Sequence, residues 1–111
     1  MKPPSSEGQQ APLPPAEAER QRFRLYVSAA SPVSSRAVVN ARRFFERHLP
    51  GRHSLVVLDI ASHVAAARAD QIVASPTLVR TFPLPLRRFI GDMSDTRALR
   101  VALGLQSSEE A

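Results

Sequence analysis

The chain has 111 residues, the size of one domain, and 43% of them are hydrophobic, which is enough for a single packed core. It contains no cysteine, which excludes a disulfide scaffold, a thiol nucleophile and a cysteine-based zinc site. The formal net charge is +5, and fourteen of the fifteen basic residues are arginine, a composition that favours an anionic partner.

The sequence predicts a disordered, proline-rich arm over residues 1–22. Leu13 is the only large apolar residue between Met1 and residue 19, so this segment cannot bury enough surface to offset its ordering entropy. The arm lacks the apolar core of a secretory signal, and no apolar run approaches the roughly 20 residues of a membrane span. We therefore expect a cytoplasmic protein without membrane contact, with its domain at residues 23–106 and a flexible tail at 107–111.

The first half of the domain predicts a βαβ unit. Apolar and polar residues alternate over 23–28, which indicates a strand. A helix follows, capped by Ser31 or Ser34 and ended by Pro50 and Gly51. Residues 54–60 are almost continuously apolar, which predicts a second strand covered on both faces, as in a parallel sheet.

The second half predicts a short helix, two strands and a last helix. Ser94 or Asp95 can cap the last helix. The other predicted elements are an alanine-rich helix at 62–72, an extended segment at 75–79, a proline-punctuated turn at 82–86 and a short strand at 87–91. The order βαβ–αββα is that of an α/β thioredoxin-like fold in a single domain.

The motifs of this chain resemble those of the KaiB family over residues 25–105. The most specific run extends from Ala74 to Asp95 and includes a Pro-Leu-Pro turn followed by Arg-Arg-x-Ile-Gly-Asp. Further matching positions are Leu25-Tyr26-Val27, Ser31-Pro32, Ser34, Arg36-Ala37, Asp59, Asp70 and Ile72.

The resemblance implies a non-enzymatic regulator that binds the ATPase ring of KaiC, a hexameric partner, in a circadian or clock-like system. KaiB proteins are metamorphic: a ground-state fold shares the first βαβ half, rearranges the second half and assembles into a dimer or tetramer. The thioredoxin-like monomer is the form that binds.

Eight residues are candidates for partner binding or switching. The adjacent Arg87 and Arg88 are the first candidates for recognition, and since neighbours on a strand point to opposite faces, one of them is expected to meet a partner. Gln71 departs from the basic residue that the family pattern has after Asp70. The partner-binding candidates are Arg36, Asp70, Gln71, Arg87 and Arg88; the structural or switch candidates are Pro76, expected to follow a cis peptide bond, Pro83 and Pro85.

The sequence predicts no catalytic residues, cofactor or metal. Residues 30–34 stand where thioredoxin-like redox enzymes have Cys-x-x-Cys, and they contain no thiol. His48, His53 and His63 match no zinc motif and are expected to be solvated. Asp59 ends a strand, where we expect it to cap the following loop and not to act as a base.

A second interpretation is a basic domain that binds nucleic acid without sequence preference. It is motivated by twelve arginines against five acidic residues between positions 23 and 106. The scarcity of aromatic residues for base stacking disfavours it. A neighbouring gene for a KaiC-type ATPase would distinguish the two interpretations.

Overall fold

The computed structural model describes residues 20–105, which form a four-stranded sheet and three α-helices. The elements are β1 (Gln21–Val27), α1 (Pro32–His48), β2 (His53–Asp59), a 3-10 turn (Ile60–Ser62), α2 (Val64–Ala69), β3 (Thr77–Phe82), β4 (Arg87–Ile90) and α3 (Thr96–Leu103). This order confirms the βαβ–αββα prediction. Most of the predicted arm and the whole predicted tail lie outside the described residues. The strand β1 begins two residues before the predicted start of the domain.

The sheet has the strand order β2-β1-β3-β4. β1 pairs in parallel with β2 and antiparallel with β3, which in turn pairs antiparallel with β4. The prediction that the second strand is covered on both faces was wrong. β2 is an edge strand in which no residue is fully buried, and Val56 is 48% exposed. A continuous apolar run is therefore compatible with a partly exposed edge position here.

The inner face of the sheet packs against α1 and α3. Phe23 and Leu25 of β1 face the helices, and Ala37 and Ala41 let α1 approach closely. The rings of Phe23 and Phe45 lie 4.2 Å apart between their centroids. The remaining buried members of this core are Val27, Phe44, Leu78, Met93, Leu99 and Leu103.

The outer face of the sheet has a smaller apolar cluster. Tyr26 of β1, Val79 of β3 and Ala67 of α2 are its buried members. Because α2 has only six residues, it covers part of this face and leaves the rest accessible. Among residues 20–105, no helix has the length and apolar character needed to cross a membrane.

The helix caps settle the two alternatives left open by the sequence. Ser31 caps α1, because its hydroxyl accepts a hydrogen bond from the Ser34 amide at 3.3 Å. The Ser34 hydroxyl instead accepts from the Ser28 amide at 3.0 Å and fixes the loop after β1. Asp95 caps α3, which ends at Gly104 in a left-handed conformation with φ of 71°.

Replacing Ser31 with alanine should lower the free energy of unfolding by about 1 kcal/mol, since the cap of α1 is lost. Ser35→Ala is the matched control, because Ser35 is exposed on the first turn of the same helix. Urea denaturation of both variants measures the difference. Equal stabilities would contradict the capping role.

Candidate functional site

The outer face of the sheet carries a polar cluster of five residues, here called the Asp70 cluster: Arg24, Tyr26, Asp70, Gln71 and Arg88. The Asp70 carboxylate accepts a hydrogen bond from the Tyr26 hydroxyl at 2.6 Å and from Arg24 Nη1 at 3.0 Å. Arg88 Nε donates to the Asp70 carbonyl oxygen at 3.0 Å, and Arg88 Nη2 donates to Gln71 Oε1 at 3.3 Å. The cluster thus joins the end of α2 to β1 and β4.

The end of α2 places Asp70 and Gln71 over the sheet. The Gln71 amide donates to the Arg68 carbonyl and the Ile72 amide to the Ala67 carbonyl, a pattern that closes the helix. Gln71 has a φ of 58°, a left-handed conformation that is energetically unfavourable for a residue with a Cβ atom. In this conformation, Gln71 Oε1 accepts the hydrogen bond from Arg88 Nη2.

Burial and hydrogen bonding shape the electrostatics of the cluster. Tyr26 is fully buried, and burial, together with its bond to Asp70, raises the pKa of its hydroxyl above the ordinary 10.0. Hydrogen bonds to Tyr26 and Asp70 raise the pKa of the half-exposed Arg24 guanidinium. At neutral pH the site therefore holds a neutral hydroxyl between a carboxylate and a cation.

Three of the five predicted partner-binding residues come together in this cluster. Asp70 is only 8% exposed, so its carboxylate is directed to partners within the domain. The Asp70 carboxylate pairs with Arg24, whose side chain remains 42% exposed. Gln71 and Arg88 are exposed.

Arg36 and Arg87 lie elsewhere. Arg36, at the start of α1, approaches Asp92 with a distance of 3.9 Å between Nε and Oδ2. Hydrogen bonds from Ser94 lower the pKa of the Asp92 carboxyl group. Arg87 is paired in register with Arg80 on the helix side of the sheet and packs against Gly104. Within residues 20–105, no side-chain hydrogen bond or salt bridge joins either arginine to the Asp70 cluster.

The proline candidates occupy different environments. The Ser75–Pro76 bond is cis, as predicted, and Pro76 is buried, with its carbonyl accepting from the Gly91 amide at 3.0 Å. The Phe82–Pro83 and Leu84–Pro85 bonds are also cis. Pro83 and Pro85 are exposed in the turn between β3 and β4.

The remaining polar candidates have structural partners. Asp59 accepts from the Ala61 amide at 3.3 Å, which confirms the predicted loop cap. The prediction of solvated histidines holds for His63 but was wrong for His48 and His53, which are half-buried against the rings of Phe44 and Phe45. Within the described range, no group of three or more histidine or acidic side chains could hold a metal ion.

Two members of the cluster were not recognised as site residues from the sequence. Arg24 and Tyr26 occupy the positions of β1 that alternate with its inner core residues. The alternating sequence pattern therefore indicated only that both are polar residues of a strand. The available signal was Tyr26 itself, because a tyrosine on a central strand is buried and its hydroxyl then requires a partner. The distant Asp70 is that partner.

The fold and the site define a thioredoxin-like domain without a dithiol centre. The structure is similar to the N-terminal domain of SasA from Synechococcus elongatus, with a TM-score of 0.65 and 22% identity over 89% of this chain and 97% of that domain. It is also similar to the thioredoxin Deadhead of Drosophila melanogaster, with a TM-score of 0.64 and 10% identity over 80% of this chain and 83% of the other.

The chain belongs to the KaiB family. The KaiB domain model matches residues 24–105. The circadian clock oscillator protein KaiB of Prochlorococcus marinus is 38% identical over 87 residues, which cover 78% of this chain and 73% of the relative. The same protein of Synechococcus elongatus is 37% identical over 78% of this chain and 85% of its own length. The family resemblance and the fold predicted from the sequence are thereby confirmed.

Replacing Tyr26 with phenylalanine should lower the free energy of unfolding by about 1.5–3 kcal/mol, because the buried Asp70 carboxylate loses a hydrogen-bond donor. Thr81→Val is the control: it also removes a hydroxyl donor, but from a more exposed bond of 3.3 Å to the Arg22 carbonyl. Urea denaturation should show little change in the control. Equal losses in both variants would contradict a special role for Tyr26.

The stability of the domain should fall as the pH rises above about 10. The folded state holds the Tyr26 proton more tightly than the unfolded state, because its folded pKa is raised. The corresponding stabilisation is complete below the unfolded pKa and is lost as the pH rises through the folded pKa. Denaturation between about pH 8 and pH 11 should show a steeper decline for the natural chain than for Tyr26→Phe. Parallel declines would exclude Tyr26 as the cause.

Proposed function

We propose that this protein is a non-enzymatic regulator that binds a KaiC-type hexameric ATPase in a circadian or clock-like timing system. The observation that carries the proposal is Arg88, which is exposed and yet held by the end of α2 in a domain of the KaiB family. The chain contains no cysteine, so the dithiol exchange of thioredoxins cannot occur in it.

The geometry of Arg88 suits recognition of an acidic group. Its Nε and Nη2 are engaged by Asp70 and Gln71, and its Nη1 has no hydrogen-bond partner among residues 20–105. A guanidinium that is already held in place loses less conformational entropy when a carboxylate binds to it. Asp70 therefore acts as a positioning residue for Arg88, and Arg88 makes the contact.

The surface charge supports an acidic partner face. Within residues 20–105, Arg24 pairs with Asp70 and Arg36 approaches Asp92, while the exposed Arg87 and Arg88 have no carboxylate partner. Arg36 and Arg87 lie away from the Asp70 cluster, so they are proposed as separate contacts. Their individual effects on binding would show how far the interface extends around the domain.

The nucleic-acid interpretation finds no support in the arrangement of the aromatic residues. Tyr26 and three of the five phenylalanines are buried in the two cores. Only Phe82 and Phe89 retain accessible rings, and they lie on different strands. Bases are commonly held by rows of exposed aromatic rings, which this sheet does not present.

Replacing Arg88 with alanine should weaken binding to the KaiC-type ATPase of the same organism at least about tenfold, because a charge-assisted contact at a desolvated interface is lost. Arg97→Ala is the matched control, since Arg97 is exposed on α3. Arg36→Ala and Arg87→Ala belong in the same series. Surface-binding kinetics give the affinities. Equal affinity of the natural chain and all these variants would show that the assigned contacts are wrong, and no binding by the natural chain would refute the function.

A further inference from the structure

The last residue of β3 and the turn to β4 form an exposed apolar segment, here called the apolar loop (residues 82–86, Phe-Pro-Leu-Pro-Leu). Leu84 is 74% exposed, Phe82 43% and Leu86 40%. Exposed apolar residues that occur singly are ordinary, whereas a contiguous group marks an interaction surface. The Asp70 cluster does not include this loop, and the binding contacts argued above make no use of it.

The buried Arg80 holds the apolar loop in place. Arg80 is 6% exposed, and its guanidinium donates to the Pro85 carbonyl at 3.0 Å and to the Leu103 carbonyl at 2.8 Å. One side chain of β3 thus ties the loop to the end of α3. The two prolines further restrict the backbone, because their φ angles are fixed. Because this loop has few conformations, it loses little conformational entropy on binding. Most of the free energy gained by burying its apolar side chains therefore contributes to affinity.

Cations flank the apolar loop. The Arg22 guanidinium lies 5.6 Å from the centroid of the Phe82 ring, and Arg87 follows the loop directly in sequence. Among the described residues, neither these two arginines nor Arg80 pairs with a carboxylate. The loop is therefore an apolar projection with a positively charged border.

The positive charge of this border indicates which kind of partner binds the apolar loop. A second copy of the chain would bring two sets of arginines together, and like charges at an interface disfavour association. An apolar pocket bordered by carboxylates is complementary to both the loop and its arginines. We propose that the apolar loop inserts into such a pocket on the KaiC-type ATPase, as a second contact beside Arg88; this inference rests on the proposed function.

The test compares two polar substitutions at equally exposed apolar residues. Leu84→Ser should weaken binding to the ATPase at least about tenfold, because the most exposed side chain of the loop no longer fills the pocket. Val101→Ser, at a residue that is 73% exposed on α3, should leave the affinity within about twofold. Circular dichroism should show that both variants are folded, since neither side chain belongs to the core.

The outcomes separate this inference from the proposed function. If Arg88→Ala weakens binding and Leu84→Ser does not, only the role of the loop is overturned. If the natural chain does not bind the ATPase, both proposals fail. Co-sedimentation with vesicles of phosphatidylglycerol and phosphatidylcholine, lost in Leu84→Ser, would assign the loop to a lipid surface and overturn the pocket. A dimer in analytical ultracentrifugation that is lost in Leu84→Ser would overturn it as well.

Discussion

The hydrogen bond between the Tyr26 hydroxyl and the Asp70 carboxylate, 2.6 Å long and buried, is the interaction on which the outer face of this domain depends. It joins the central strand β1 to the end of the short helix α2 across 44 positions of sequence. A buried carboxylate requires hydrogen-bond donors, and Tyr26 and Arg24 both donate to Oδ2 of Asp70. Once Asp70 is fixed, its carbonyl and the neighbouring Gln71 can hold Arg88. The arrangement of these side chains on the outer face therefore depends on this one buried hydrogen bond.

The same fold serves dithiol chemistry in thioredoxins, and the local difference is small. At the start of α1 this chain has serines, whose hydroxyls satisfy backbone amides: Ser31 caps the helix and Ser34 fixes the preceding loop. These bonds occupy the oxygen atoms at the place where a redox enzyme needs a reactive thiol at a helix N-terminus. The scaffold is retained, and its surfaces are available for contacts with other proteins.

Two surface features near β4 carry the proposals. The Asp70 cluster presents one oriented guanidinium, Arg88. The apolar loop presents the exposed Leu84 and is held by the buried Arg80. The first offers directional polar recognition and the second offers apolar burial, and protein interfaces commonly combine a buried apolar anchor with surrounding polar contacts. Arg80 reaches the loop and the end of α3 through carbonyl groups, so its charge is also near the negative end of a helix dipole.

The sequence by itself determined the order of the elements, the start of α1 at a serine cap and the membership of the KaiB family, because these depend on local periodicity, capping chemistry and contiguous motifs. It also predicted Asp70, Gln71 and Arg88 as binding residues. Only the tertiary structure decided that β2 is an edge strand and that Asp70 is buried beside Tyr26. Both facts depend on which strands become neighbours, and pairing between residues far apart in sequence leaves no local pattern along the chain.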